Sequence, residues 1–359
     1  MSARVVHIVQ RMAPGGIETL VLDLVASHPD ADLVYSLEGN TRELVDDWRA
    51  LSPITDRLKS FGHVSGLSPR LLAALVHQLA TDRPLAVVVH HIGPYLYGGI
   101  AARLVRVPVL VHVEHDGWHL ESDRRRKMTR RLERLLRPRH VAVSGSVAAA
   151  LEAVVPGADI RVVPNGIDLE RFRPGERAVA RRLIGLQADV RVVGSAGRLL
   201  PVKGHDVLIR AAQHLPANVH IVIAGGGEAA AALGQLAREL GVEARVHLIG
   251  HRDDVQAILP AFDVFCLPSR NEGLPRSVVE AQACGVPVVA SDVGGLREAV
   301  CAASGRLVPA ANPTALAEAL RGVLAATPAV SPRAFVARRF AWRDTLAAYE
   351  AAMEVADAA

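Results

Sequence analysis

The feature that most constrains this chain is an alternation. Short, unbroken Val/Ile/Leu runs are separated by stretches of helical periodicity along nearly all of its 359 residues. A strand apolar on both faces cannot leave one face in water. Repeated strand–helix alternation therefore predicts parallel sheets covered by helices on both sides. The runs predict strands at Val5–Gln10, Leu33–Leu37, Leu85–His90, Val109–Val113, Val141–Ser144 and Arg161–Val163. A second series is predicted at Arg191–Ala196, His220–Ala224, Arg245–Ile249, Val264–Leu267, Pro287–Ala290 and Leu307–Pro309. Two series predict an α/β protein of two Rossmann-like, doubly wound domains, and 359 residues exceed what one core usually supports. The expected division is 1–170 and 171–339, with the boundary in "NGIDLERFRPGERA". The tail, 340–359, reads as an alanine-rich amphipathic helix that packs back on the first domain.

Composition agrees with this picture. Half the residues are apolar and only 4% are aromatic, which suits helices packed on Val-rich strands. The net charge of +4 fits a phosphorylated ligand or an anionic surface without demanding either. Cys266, Cys284 and Cys301 show no metal-ligand spacing and read as free thiols in a reducing cytosol. The N-terminus reads as a strand rather than a signal peptide, and no apolar run approaches the roughly 18–20 residues of a membrane span. The expectation is a cytoplasmic protein, with peripheral attachment to the inner face of the membrane as the open alternative.

Unusual residues cluster just after the predicted strands: "APGGIET", "EHDGWH", "PNGID", "GRLLPVKG", "AGGGE", "GHRDD", "PSRNEGLP" and "SDVGG". In open parallel sheets, ligands bind outside the carboxyl ends of the strands. Gly and Asn also make ordinary strand-to-helix turns, but eight loaded loops predict a ligand cleft lined from both domains.

"SRNEGLPRSVVEAQACGVPVVASDVGG", Ser269–Gly295, carries the sharpest chemistry. Pro275 suits the first position of a helix. Gly273 and Leu274 then lie at its entrance, where backbone N–H groups and the helix dipole favour phosphate. Glu272 stands outside that entrance and Glu280 over a turn within. One carboxylate suits sugar hydroxyls and the other a ribose diol; helix capping and a surface acid are the plainer alternatives. Arg198 and Lys203, after the first strand of the second series, suit a diphosphate.

With these segments on view, the chain resembles the retaining glycosyltransferases of the GT-B fold, family four (group 1). The resemblance rests on "GRLLPVKGHDVLI", "VHLIGHRDDV", "VFCLPSRNEGLPRSVVEAQACGVPVVASDVGGLREAV" and "VPNGIDLERFRP", with looser support from "APGGIETLVLDLV" and "VHVEHDGWH". It implies an N-terminal acceptor-binding domain and a C-terminal domain for a nucleotide-sugar donor. Arg198 and Lys203 would neutralise the leaving diphosphate, and Glu272 with the Gly273 and Leu274 amides would hold the sugar. Glu280 would bind the ribose, Arg252 would lie near the base, and His115 beside the sugar. Gly15 and Gly16 would allow close approach of the first helix, and Asn165 is a further donor-site candidate. Arg276 stands where an apolar or amide residue would be unsurprising.

The resemblance implies transfer of a hexosyl group, from a UDP-sugar in preference to a GDP-sugar, to a glycan or lipid-linked acceptor. Bacterial polysaccharide or glycolipid synthesis is the implied setting. No metal or other cofactor is expected: the Asp-x-Asp at Asp30–Asp32 precedes a strand, at the wrong end for a cleft ligand. A related epimerase or phosphorylase is the alternative enzyme, and a nucleotide-sugar-binding scaffold the non-enzymatic one. A nicotinamide oxidoreductase is disfavoured because neither "APGGIE" nor "AGGGEA" has the G-x-G-x-x-G spacing.

Nine Lys/Arg crowd Arg124–Arg139, with Met128, Leu132, Leu135 and Leu136 at helical spacing. This is either an ordinary basic helix or a surface for anionic lipid or an anionic acceptor. Nucleic acid is not expected, because no stacking aromatics are interleaved.

Overall fold

The computed structural model describes residues 5–29, 31–64, 66–187, 189–326 and 330–354. They form two compact units. One runs to Pro164 and resumes at Thr345, and the other is Asn165–Asp344.

The first unit is built on a seven-stranded sheet: β1 (Val5–Val9), β2 (Asp32–Ser36), β3 (Leu58–Ser60), β4 (Ala86–His90), β5 (Val109–Glu114), β6 (Arg139–Ala142) and β7 (Ile160–Val162). The order is β3-β2-β1-β4-β5-β6-β7, and every pairing is parallel. β1, β4 and β5 are buried along their whole length, which is why their sequences are apolar without alternation. One face packs Leu71, Leu75 and Leu79 of helix Pro69–Asp82 against Val6, Ile8, Val87 and Val89. Helix Trp342–Met353 buries Tyr349 and Ala352, and the Arg139 guanidinium donates to the Ala352 carbonyl at 2.9 Å.

The second unit holds a six-stranded parallel sheet: β8 (Arg191–Ala196), β9 (Val219–Ala224), β10 (Val246–Leu248), β11 (Val264–Leu267), β12 (Val288–Ser291) and β13 (Arg306–Val308). Its order, β10-β9-β8-β11-β12-β13, reverses direction between β8 and β11. That reversal opens a crevice at the carboxyl ends of those two strands. A buried polar staple stiffens its far side: Gln282 donates to the Ala299 carbonyl and accepts from the Cys301 amide, both at 2.7 Å. All three cysteines are free and buried.

Twelve of the thirteen strands coincide with the apolar runs, with shifts of a residue or two at their ends. The exception, β3, spans only Leu58–Ser60, has no apolar run, and follows a 3-10 turn containing Pro53. Pro275 is also one place earlier than expected. It caps helix Arg276–Ala283 in an extended conformation rather than opening the helix itself.

Candidate active site

In the second unit, the loops after β8 and β11 meet at the reversal of strand order. Glu272 and Lys203, 69 positions apart, are joined by a 2.7 Å ion pair from Lys203 Nζ to Glu272 Oε1. The Ser269 hydroxyl donates to the same oxygen at 2.6 Å. Both charged side chains are largely withdrawn from water, Glu272 at 8% exposure and Lys203 at 21%. The backbone fixes this pair. Arg270 reaches across to the other loop, donating to the Pro201 carbonyl and pairing bidentately with Asp206 at 2.8 and 2.9 Å. Gly294, in the loop after β12, has φ +48°, and a Cβ there would lie 1.9 Å from the Glu272 carbonyl oxygen. Only glycine lets that loop lie against the Glu272 backbone.

Arg198 belongs to the same loop after β8 as Lys203. It is exposed and makes no side-chain hydrogen bond or ion pair among the described residues, so its fork is available to an anion. Gly273 and Leu274 are buried between Glu272 and the start of helix Arg276–Ala283. Asn165 sits behind them, donating from Nδ2 to the Leu274 carbonyl at 2.9 Å. At 6% exposure it braces the loop from behind. Arg276 is buried too. It donates to the Gly166 carbonyl at 3.3 Å and faces Glu280 across 3.7 Å, so this unexpected arginine secures both the helix start and Glu280. Arg252 follows edge strand β10 and is held bidentately by Asp254 at 2.8 and 2.6 Å. Its fork is already engaged, and it lies two strands from the reversal.

In the first unit, the strand ends gather histidines. His115, just after β5, is 7% exposed, and its Nε2 lies 3.0 Å from Nδ1 of His90. Nε2 of His90 in turn lies 3.2 Å from Nδ1 of His7. Burial, with a smaller push from His91, lowers His115 to about 3. The ring is therefore a neutral hydrogen-bonding group near pH 7. Gly15 caps helix Gly16–Ser27 with extended backbone at φ −172°. A Cβ at Gly16 would meet nothing within 4 Å, whereas one at Gly15 would run into the Glu18 carboxylate, the movable end of a side chain.

Beside His115 lies a group that spacing in the sequence did not reveal: His91, Glu114, Asp116 and His119. His119 is held up at about 9: burial alone would lower it, but Asp116 and Glu114 outweigh that. The Asp-x-Asp offers nothing comparable. Asp32 is buried at the start of β2 against His28 at 3.2 Å, and Asp30 lies outside the described residues.

The basic stretch forms helix Asp123–Leu136. Leu132 and Leu136 face the core together with Thr129, whereas Leu135 is exposed, so the expected apolar stripe holds only in part. Arg130 bonds the Val154 carbonyl at 2.9 Å, and Arg125 stacks 5.0 Å over Trp118. Arg124, Lys127, Arg131 and Arg134 are exposed along one face. No helix among the described residues is long and apolar enough to cross a membrane.

These two doubly wound sheets are those of the GT-B fold. Residues 4–171 match the family described as Glycosyltransferase Family 4, and residues 177–333 match Glycosyl transferases group 1; the chain belongs to this family. A D-inositol 3-phosphate glycosyltransferase from Mycolicibacterium gilvum is 46% identical over 197 residues, 52% of this chain and 44% of the relative. Its counterpart in Mycolicibacterium vanbaalenii is 42% identical over 208 residues, 53% of this chain and 46% of the relative. The chain thus spans about half the length of the curated relatives it matches. Among solved structures, HepE of Anabaena in complex with UDP-glucose aligns with a TM-score of 0.85 at 25% identity, covering 97% of this chain and 99% of that one. WaaG, a glycosyltransferase involved in lipopolysaccharide biosynthesis, aligns with a TM-score of 0.73 at 20% identity over 99% of this chain and 100% of that one, a likeness of fold.

Proposed function

We propose that this protein is a retaining glycosyltransferase that moves a hexosyl group from a UDP-sugar, or a GDP-sugar, to a glycan or lipid-linked acceptor in bacterial polysaccharide or glycolipid synthesis. The observation that carries this reading is the assembly of Arg198, Lys203, Glu272 and the start of helix Arg276–Ala283 at the strand-order reversal of the second unit. As the sugar–phosphate bond breaks, charge builds on the diphosphate. Arg198, Lys203 and the helix dipole meet that charge, so the leaving group requires no divalent cation. Glu272 and the Gly273–Leu274 backbone hold sugar hydroxyls, Glu280 holds the ribose, and Asn165 supports the loop from behind. In the first unit the assigned residues are His115, in catalysis, and Gly15 and Gly16, in donor binding.

Lys203 has two roles. In the free protein it neutralises Glu272, and with donor bound it also faces the phosphates. No nucleophile stands out for a double displacement, so front-face attack follows, with the leaving phosphate helping to accept the acceptor proton. The named activity of the mycolicibacterial relatives makes a phosphorylated polyol worth including among acceptors. The exposed Arg124–Lys127–Arg131–Arg134 face supports attachment to anionic lipid.

The test is product analysis by NMR with UDP- and GDP-sugars and a panel of acceptors. A product retaining the donor's anomeric configuration is expected. An inverted product overturns the mechanism. Epimerised nucleotide-sugar, or sugar-1-phosphate formed with free phosphate, would replace transfer with the rival enzyme readings.

A further inference from the structure

We propose that His91, Glu114, Asp116 and His119 form a binding site for one divalent transition-metal ion, zinc(II) by preference, which ties the ends of β4 and β5 together beside His115. Each residue offers one ligand atom, and all four atoms lie within 4.8 Å of one another. Zinc bonds of about 2.0–2.1 Å in a tetrahedron set neighbouring ligand atoms roughly 3.3 Å apart. The close contacts fall at that spacing: Glu114 Oε2 to His119 Nε2 is 3.2 Å, and Asp116 Oδ2 to His91 Nε2 is 3.4 Å. Two imidazoles and two carboxylates are a donor set that zinc accepts.

The second, independent observation concerns satisfaction. Glu114 and His119 are both fully buried, and neither Glu114 Oε2 nor His119 Nε2 has a well-aligned hydrogen-bond partner, although they face each other. Buried polar atoms are rarely left so, and a cation between them satisfies both. The outer contacts also suit a metal ligand. The other Glu114 oxygen accepts from the His115 amide at 3.1 Å, which fixes the carboxylate's orientation. His91 has φ +73° and ψ 174°, a region of backbone almost reserved for glycine. Its amide donates to the Val113 carbonyl at 3.0 Å, so the end of β5 holds the strained residue in place. The four ligands come from the ends of β4 and β5 and the loop that follows. The ion would therefore brace the segment bearing His115.

The experiment uses the full chain without nucleotide, so its outcome is independent of the transferase reading. Protein stripped with a chelator is titrated with zinc(II) against a chromophoric chelator, and with cobalt(II) followed by visible absorption. The expected result is one zinc per chain, a cobalt spectrum of low coordination number, and a rise in melting temperature on adding zinc. His91→Gln and His119→Gln should each weaken zinc binding roughly 100-fold or more, since even outer-shell changes cost 10–100-fold. His77→Gln, at an exposed histidine of helix Pro69–Asp82, should bind as the parent does. His91 is 23% exposed and His119 fully buried; if His119→Gln does not fold, His91→Gln decides alone. No stoichiometric zinc binding, or binding unchanged in His91→Gln, overturns the proposal and leaves a protonated His119 shared by two carboxylates.

Discussion

Replacing Lys203 with alanine isolates the interaction at the centre of the second unit. The ammonium lies 2.7 Å from Glu272 Oε1, and the carboxylate is only 8% exposed. At an effective dielectric of 20, two unit charges at that distance attract by about 6 kcal/mol before desolvation is subtracted. Removing one partner of a fully buried pair costs about 3–5 kcal/mol, because the remaining charge is left uncompensated. Lys203 keeps 21% of its side chain in water, so a loss of about 2–3 kcal/mol is expected. Glu272→Gln should cost less. The amide oxygen still accepts from the Ser269 hydroxyl, whose oxygen lies 2.6 Å away, and the ammonium left without its counter-ion keeps 21% of its side chain in water. In the double variant the uncompensated carboxylate is gone, so its loss should fall short of the sum by about 1 kcal/mol or more. Urea unfolding of the four proteins measures the cycle, and turnover is measured on the same samples. Each single change should lower turnover about 100- to 1,000-fold, again without multiplying in the double variant. Strict additivity in stability, or a silent Lys203→Ala, would refute the coupling.

Four further outcomes follow from the same structure. Arg198→Ala, at an exposed side chain with no partner among the described residues, should cost about 100- to 1,000-fold in turnover while leaving the urea midpoint in place; a shifted midpoint with intact turnover contradicts its assignment. Gly294→Ala should disturb Glu272 through the backbone, because its Cβ would meet the Glu272 carbonyl oxygen at 1.9 Å; donor affinity falls, and unchanged affinity would mean the loop simply moves aside. His205 is pushed down to about 4 by burial and by the Lys203 charge. The unfolded chain therefore takes up its proton first, and stability present above pH 6.5 is lost as pH falls towards 4, by on the order of 3 kcal/mol; His205→Gln should flatten melting temperature against pH in that window, and an unchanged slope rejects it. Changing Arg124, Lys127, Arg131 and Arg134 to Ser should weaken binding to anionic vesicles, most at low salt, and spare transfer to a soluble acceptor; equal vesicle binding would leave these residues an ordinary solvated face.

What was legible in the sequence depended on how local its signal was. Strands buried on both faces announce themselves as unbroken apolar runs, so β1, β4, β5, β8 and β11 could be read directly. β3 could not, since its three residues, Leu-Lys-Ser, carry no pattern. The Glu272–Glu280 segment was readable because its Gly-Leu-Pro and helix lie in one stretch. The Lys203–Glu272 pair depends on a contact 69 positions apart, which the β8–β11 reversal brings about, and the Asn165 and Arg276 braces on contacts 109 and 110 positions apart with the segment that follows β7. Leu135 kept helical spacing yet faces solvent, because the core selects Thr129 in its place. In the cluster of His91, Glu114, Asp116 and His119, three members lie together in "EHDGWH" and were legible as a stretch, whereas His91 joins them only through the pairing of β4 with β5.

The central claim is that the donor nucleotide binds at the β8–β11 reversal of the second unit. Amide hydrogen exchange, measured with and without UDP, GDP and their hexose conjugates, tests it most directly. The account predicts slowed exchange in the Gly197–Lys203 loop and across Gly273–Ala283, stronger with the preferred sugar nucleotide than with the bare diphosphate, and lost in Arg198→Ala at the same ligand concentration. Protection confined to the loops after β1 and β5, with the Gly197–Lys203 and Gly273–Ala283 amides unchanged, would contradict it.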